Sequence, residues 1–153
     1  MSGATDVSNA STELETVKAV SMRIRRSFET VLSASRIPGT TGTCLHASIL
    51  LQRALDKFAD SETVIRGGDG LNDGGARDVT GAWHGHYWVE GVTAMGVPFL
   101  ADITADQFGW PSVVVLPLAV ARERYIPGDD DSCELAIDAE IDRINETLGQ
   151  AAD

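Results

Sequence analysis

The sequence predicts an α+β domain with two N-terminal helices, a small antiparallel sheet and a C-terminal helix. Apolar residues recur with helical spacing over about 12–34 and 43–58, and again from about Asp131 onward. Short β-prone runs lie between these helices, at 62–66, 82–93, 97–104 and 113–116. Because helices and strands come in blocks rather than in strict alternation, this order favours α+β. A length of 153 residues indicates one domain, placed at residues 12–153.

The N-terminal region divides into a polar stretch and a long amphipathic helix. Residues 1–11 are small and polar and are interpreted as a flexible tail. Thr12 and Glu15 have the spacing of a capping box, which predicts a helix that begins at residue 11 or 12 and ends near Ala34. The basic cluster at 23–26 is expected on its solvated face.

The second helix is apolar on almost every side and is therefore predicted to be buried. It should run from about Thr43 to Phe58, after a break at Gly42. This start places Cys44 in the first turn, where unpaired N–H groups and the positive end of the helix dipole favour a thiolate. The alternative is that Cys44 is a small apolar residue packed in the core.

The later segments are predicted from similar signals. The runs at 82–93 and 97–104 form an antiparallel hairpin, and the continuous apolar run at 113–116 is typical of a central strand. Residues 118–124 are expected to form a short helix and 125–130 a loop, and Asp131 with Glu134 a capping box for the last helix.

The glycine- and aspartate-rich loop at 67–78 does not have the ligand pattern of a known metal site. Leu71 occupies a ligand position of the EF-hand spacing, and the glycine repeat typical of calcium binding occurs in one imperfect copy. No metal and no cofactor are predicted.

Composition limits the possible partners and compartments. A net charge of −11, from 23 acidic and 12 basic residues, repels phosphate backbones and argues against nucleic-acid or anionic-membrane binding. It attracts basic peptides or proteins instead. No apolar run approaches the ~18 residues of a membrane span, and the N-terminus does not have the pattern of a signal peptide. Two cysteines without a disulfide or zinc spacing favour a reducing compartment, so we expect a cytoplasmic protein or one exported without a cleavable signal peptide.

A cysteine nucleophile needs a base, and the chain has three histidines. His46 lies two residues after Cys44 and points about 200° away on a helix. His84 and His86 share one face of the predicted strand 82–93. Of these, His86 is the candidate base.

Asp102 is the candidate orienting residue, because a carboxylate within an apolar strand needs a partner. It shares a face with His86 only if the hairpin has an odd-length turn, or a bulge at a residue such as Gly91. Asp106 is the fallback if the register differs, although a capping role suits it better.

Three motifs in this order resemble a known family. GTCLHASILLQRAL followed by VIRGG resembles the nucleophile helix of the transglutaminase-like proteins, in the broader papain-like cysteine superfamily. HYWVE resembles that superfamily's histidine strand and ADIT its aspartate strand. The resemblance covers roughly residues 40–105.

The resemblance implies a papain-like core and a catalytic triad. Cys44 would be the nucleophile, His86 the base and acid, and Asp102 the residue that orients His86. Such proteins transfer acyl groups through a thioester, as peptidases, glutamine deamidases, transglutaminases or acyltransferases. The implied substrate is a protein or peptide amide, and the acidic surface favours a basic one. The alternative is a transglutaminase-like module that has become catalytically inert and serves binding or structure.

The sequence departs from the superfamily at the oxyanion site, since no glutamine precedes Cys44. The N–H of Cys44 is one candidate donor. The other candidate donor is a backbone N–H of the loop at 40–43, which includes Thr43, or the indole of Trp88 or Trp110. Thr43, Trp88 and Trp110 are also candidates for substrate binding. Cys133 is discounted as a nucleophile because four nearby acidic residues, Asp129, Asp130, Asp131 and Glu134, should raise its pKa.

Overall fold

A computed structural model describes the backbone of residues 3–36 and 43–152, and the side chains of 11–36 and 43–146. The helices are α1 (Gly3–Ala34), α2 (Cys44–Phe58), α3 (Leu118–Ala121) and α4 (Asp130–Ala152), with a 3-10 turn at Ala105–Phe108. The strands are β1 (Glu62–Gly68), β2 (Gly75–Arg77), β3 (Trp83–His84), β4 (His86–Val92), β5 (Pro98–Asp102), β6 (Val114–Pro117) and β7 (Tyr125–Ile126). The predicted α+β class is confirmed.

Two antiparallel sheets form the centre of the fold. The larger has the strand order β1-β4-β5-β6, and the smaller has the order β3-β2-β7. One face of the larger sheet, with Val89 and Phe99, packs on α1 and α2 in the main core. The other face, with Trp88 and Leu100, packs with Tyr125 of the smaller sheet in a second core. Alternation along β4 and β5 therefore sends His86 and Asp102 to the side of the second core.

The β4–β5 hairpin has the odd-length turn that the sequence required. Val92 pairs with Pro98, and the N–H of Thr93 donates to the carbonyl of Val97 at 3.0 Å. Residues 94–96 form a three-residue loop that closes at Gly96, whose φ is +87°. Because the loop supplies the register, no bulge is needed.

Gly91 is a regular strand position instead of a bulge. It pairs with Thr63 on one side and Phe99 on the other. A Cβ at this position would lie 2.7 Å from the Phe99 ring and 2.9 Å from the Thr63 methyl group. The glycine is therefore required by close side-chain packing on both neighbours.

Two predicted boundaries were wrong at the N-termini of helices. α1 begins at Gly3, and Thr12 lies within it, because residues 4–11 contain no glycine or proline to stop a helix. The flexibility of residues 1–11 stays a prediction. α4 begins at Asp130 and is capped by Asp129, whose carboxylate accepts from the N–H and hydroxyl of Ser132 at 2.9 and 2.7 Å, so Asp131 is not the cap.

The strand predictions were wrong in two further respects. The run 82–93 divides at Gly85 into β3 and β4, which belong to different sheets. β6 pairs with β5 alone among the described strands, so it is an edge strand and not a central one. Its apolar run is continuous because Val115 packs in the main core and Leu116 in the second.

Two regions predicted as loops also contain short strands. β2 lies within the segment predicted as a loop at 67–78, and β7 lies within 125–130. Neither strand has more than three residues, too few for a periodic pattern to be recognised.

Arg25 is buried, in contrast to the solvated position expected for the basic cluster. It donates to the carbonyl of Ile103 at 2.7 Å and to both carboxylate oxygens of Asp106 at 2.8 and 3.0 Å. This contact joins α1 to the segment that follows β5. Asp106 is thereby committed to Arg25 and is not the partner of His86.

Across the described residues, no helix combines the length and apolarity needed to cross a bilayer.

Candidate active site

Cys44 is the first residue of α2. The helix begins with the N–H of Ala47 donating to the carbonyl of Thr43 at 3.0 Å, so the N–H of Cys44 has no carbonyl partner within the helix. The side chain of Cys44 is partly exposed. The sulfur therefore lies at the positive end of a helix, on a residue that is partly exposed.

His86, the first residue of β4, connects Cys44 to Asp102. Its Nε2 lies 2.8 Å from Oδ2 of Asp102. Cys44 raises the pKa of His86 through a hydrogen bond and through its charge, and because Nε2 faces Asp102, Nδ1 is the nitrogen available to the sulfur. The three residues thus form a continuous chain of nucleophile, base and orienting carboxylate.

Electrostatics favour an imidazolium at this position. Burial of the ring lowers the pKa of His86, but the charge and hydrogen bond of Asp102, with a contribution from Cys44, outweigh burial and raise the pKa from 6.5 to about 10. Burial conversely raises the pKa of Asp102, but His86 and the donors around the carboxylate lower the pKa below its ordinary value of 3.8. The pair is therefore ionised over the neutral pH range.

Asp102 is 2% exposed and accepts four hydrogen bonds. Oδ1 accepts from the N–H of Thr104 at 2.9 Å and from its hydroxyl at 3.3 Å. Oδ2 accepts from His86 and from the hydroxyl of Tyr125, each at 2.8 Å. Burial and the Asp102 charge raise the pKa of Tyr125 well above its ordinary value, so this hydroxyl stays protonated and keeps donating.

Gln107, in the 3-10 turn after β5, lies on the other side of the imidazole. Its Nε2 donates to the carbonyl of Thr104 at 3.0 Å and lies 3.5 Å from Nδ1 of His86. Next to it, Phe108 packs edge-on against the imidazole, with ring centroids 4.7 Å apart. The turn therefore supplies an amide donor and an apolar wall at the edge of His86 that faces Cys44.

Sequence reasoning missed Thr104, Gln107 and Tyr125. Thr104 had a detectable signal, since a threonine two residues after an aspartate commonly donates to its carboxylate in a local turn. Tyr125 had none, because it is 23 residues from Asp102 and approaches it through a strand of the second sheet.

The indole groups proposed as oxyanion donors have other partners. Trp88 is fully buried, and its N–H donates to Oε2 of Glu90 at 3.3 Å. The N–H of Trp110 donates to the carbonyl of Arg77 at 2.8 Å. Each indole N–H therefore has an acceptor outside the site, and a part of Trp88 or Trp110 in substrate binding stays a prediction. Thr43 directly precedes Cys44, and its part in substrate binding stays a prediction, while residues 40–42 of the same loop lie outside the described residues.

Cys133 and His46 both lie apart from this chain of contacts. Cys133 is 4% exposed, and its thiol donates to the carbonyl of Ile65 at 3.4 Å. Burial, with the charges of Asp130 and Glu134, raises the pKa of Cys133 to about 11. His46 packs edge-on against Phe28 of α1 at 5.9 Å. These positions agree with the exclusion of both residues from catalysis.

Comparisons with protein-family models, with curated proteins and with solved structures found no match for the chain. Within the described residues, no group of three or more histidine, cysteine, aspartate or glutamate side chains is placed to hold a metal ion.

We predict that the ring of His86 remains protonated through pH 8 and loses its proton near pH 10. NMR titration of the histidine ring carbons measures this directly. Asp102→Asn should move the midpoint well below 10, because burial still disfavours the charged ring while the negative charge that stabilised it is gone. His46 is the internal reference, since burial lowers its pKa and Asp102 does not contact it. A wild-type midpoint for His86 at or below 6.5 would contradict this account.

The same shift fixes the sign of its effect on stability. Because the pKa of His86 is higher in the folded chain than in the unfolded one, its contribution is complete below about pH 6.5. That contribution is then lost as the pH rises toward 10. The pKa of Asp102 is lower in the folded chain than in the unfolded one, so its contribution to stability is present at neutral pH and is lost as the pH falls below 3.8.

Proposed function

We propose that this protein is a cysteine-dependent amide hydrolase or acyltransferase that acts through a thioester on a protein or peptide. The observation that carries the proposal is the position of His86, which is hydrogen-bonded to Asp102 and near enough to Cys44 for the thiol to raise its pKa. We further propose a papain-like, transglutaminase-like core. The supporting arrangement is a cysteine that begins a buried helix, packed on a sheet whose adjacent strands supply histidine and aspartate.

The proposed reaction begins from a Cys44 thiolate beside a protonated His86. The sulfur attacks the amide carbonyl and forms the C–S bond, the proton on Nδ1 of His86 passes to the amide nitrogen, and the C–N bond breaks to release the amine. Water or an amine then attacks the thioester and gives its proton to Nδ1, while the C–S bond breaks and the thiolate re-forms. Asp102 stays ionised throughout and holds Nε2, so that Nδ1 keeps facing the sulfur.

Two N–H groups are the proposed donors to the developing oxyanion. The backbone N–H of Cys44 is one. The amide of Gln107 is the other, and the Thr104 carbonyl fixes its orientation because only the NH₂ group can donate to a carbonyl. The second N–H of that group points to the Nδ1 edge of His86, and a protonated Nδ1 cannot accept it. This N–H is therefore placed to donate to a substrate oxygen.

One observation favours the alternative of an inert module. The side chain of His86 has no exposed surface, although that of Cys44 is partly exposed. A buried histidine–aspartate pair with satisfied partners also serves as a structural contact between strands. Thiol reactivity separates the two readings, because a structural pair does not require a reactive Cys44.

Alkylation by iodoacetamide at pH 6 tests the proposed thiolate. We expect Cys44 to react at least about ten-fold faster in the wild type than in His86→Ala, because loss of the imidazolium removes the charge that stabilises the thiolate. Peptide mapping by mass spectrometry assigns the label. Cys133 serves as the internal control, since burial and acidic neighbours keep it a thiol. Equally slow labelling of Cys44 in both proteins would favour the inert module.

Gln107→Ala tests the oxyanion assignment separately from the thiolate. Acylation by an activated aryl ester should fall by about 10²-fold, the usual cost of losing one oxyanion donor, while the alkylation rate stays at the wild-type value. The two reactions differ because alkylation develops no oxyanion. Gln52→Ala is the matched control, since Gln52 also donates to a backbone carbonyl, that of Thr63 at 3.1 Å. A parallel loss of both rates would refute the assignment.

A further inference from the structure

A cavity of about 300 Å³ lies at the end of β2. Two arginines line it: Arg77, the last residue of β2, and Arg124, which directly precedes β7. Trp110 forms part of the wall, and Asp78 and Glu123 add carboxylates. None of these residues belongs to the Cys44–His86–Asp102 chain.

The fold holds the two arginines side by side. The N–H of Arg77 donates to the carbonyl of Arg124 at 2.8 Å. The two residues are therefore backbone neighbours on adjacent chain segments. The guanidinium of Arg124 stacks on Trp110, with Cζ 3.9 Å from the ring centroid. The N–H of Trp110 in turn donates to the carbonyl of Arg77. Gly81 leaves room for the Arg77 guanidinium, because a Cβ there would lie 3.3 Å from Nη2.

Neither guanidinium forms an ion pair with a carboxylate of the described residues. This is unexpected in a chain with 23 acidic residues, including Asp78 in the same cavity. The Asp78 oxygens are used within their own turn: Oδ1 accepts from Thr80 and Ala82, and Oδ2 lies 2.7 Å from Nε2 of His84. Two like charges on adjacent strand positions destabilise a sheet, and a bound anion relieves that repulsion.

We propose that Arg77 and Arg124 form a binding site for a single carboxylate group of a peptide. A guanidinium presents paired N–H donors that match the two oxygens of a carboxylate. The charges of Asp78 and Glu123, together with the net charge of −11, oppose a dianion such as phosphate more strongly than a monoanion. The surface as a whole attracts basic peptides, whereas this cavity selects one acidic group within the peptide.

Phe108 connects the cavity to the active site. Its carbonyl accepts the N–H of Val79, a residue of the cavity wall, at 3.1 Å. Its ring stacks on His84, with centroids 5.1 Å apart, and packs edge-on against His86. A role for the cavity in selecting substrates therefore rests on the proposed function. Carboxylate binding in the cavity does not depend on that function.

The test is an NMR titration that follows the indole N–H signal of Trp110, assigned with Trp110→Phe. N-acetyl-glutamate amide carries a side-chain carboxylate, N-acetyl-glutamine a C-terminal carboxylate, and N-acetyl-glutamine amide neither. A saturable shift with either carboxylate supports the proposal and identifies the source of the group. An equal shift with the neutral compound, or tighter binding of inorganic phosphate, overturns it.

Variants attribute the binding to the two arginines. Arg77→Gln and Arg124→Gln should each weaken carboxylate binding at least about ten-fold, because each removes one charged pair of donors. Arg53→Gln, at an exposed position of α2, should bind as the wild type does. Unchanged binding in both cavity variants, with an otherwise native spectrum, also overturns the proposal.

Cys44→Ala separates this proposal from the proposed function. Carboxylate binding should persist in that variant, because Cys44 is not part of the cavity. Binding that persists alongside an unreactive wild-type Cys44 would leave the carboxylate site standing and remove its enzymatic role. Binding that disappears in Cys44→Ala with the fold intact would contradict the assignment of the site to Arg77 and Arg124.

Discussion

The buried carboxylate of Asp102 is the constraint on which the rest of the site depends. Removing a carboxylate from water costs several kcal/mol unless it is paired and hydrogen-bonded. Here His86, Thr104 and Tyr125 together provide four donors. Because those donors come from β4, from the segment just after β5 and from β7, satisfying this one charge aligns a strand hairpin and brings the second sheet against the first.

The same constraint sets local features at some distance from the charge. The three-residue loop ending at Gly96 places Asp102 on the face of His86, and Gly91 permits the close packing of β4 between its neighbours. The contact of Arg25 with Asp106 holds the segment after β5 against α1. Gln107 belongs to that segment, so α1 helps to position the proposed oxyanion donor.

Short-range patterns predicted where Cys44 and Asp102 lie in the fold, whereas their proposed roles came from the resemblance of three motifs taken together. Cys44 was predicted from a break followed by an apolar helical repeat, and Asp102 from a charge within an apolar strand. An odd-length hairpin turn or a bulge was needed to bring His86 and Asp102 to the same face, and the sequence alone did not show which of these the chain has. Tyr125 and Gln107 reach the site only through tertiary packing, and the division of the strand at Gly85 depends on which sheet each half joins.

The two cysteines show how position in the fold controls chemistry. Both lie near the start of a helix, but Cys44 is partly exposed beside an imidazole, whereas Cys133 is buried near carboxylates that raise its pKa. A similar contrast holds for charge. The chain is acidic overall, yet Arg77 and Arg124 line one cavity, in which Asp78 and Glu123 supply the opposite charge.

Trapping of the acyl-enzyme tests the central claim most directly. Wild-type protein and Cys44→Ala would be incubated with a library of peptides carrying amide and activated-ester groups, quenched in acid and measured as intact proteins by mass spectrometry. We predict an acyl adduct on wild-type Cys44 that hydroxylamine removes, as expected of a thioester, and none on Cys44→Ala. The absence of any adduct on the wild type, or the same adducts on both proteins, would contradict the assignment of Cys44 as the nucleophile.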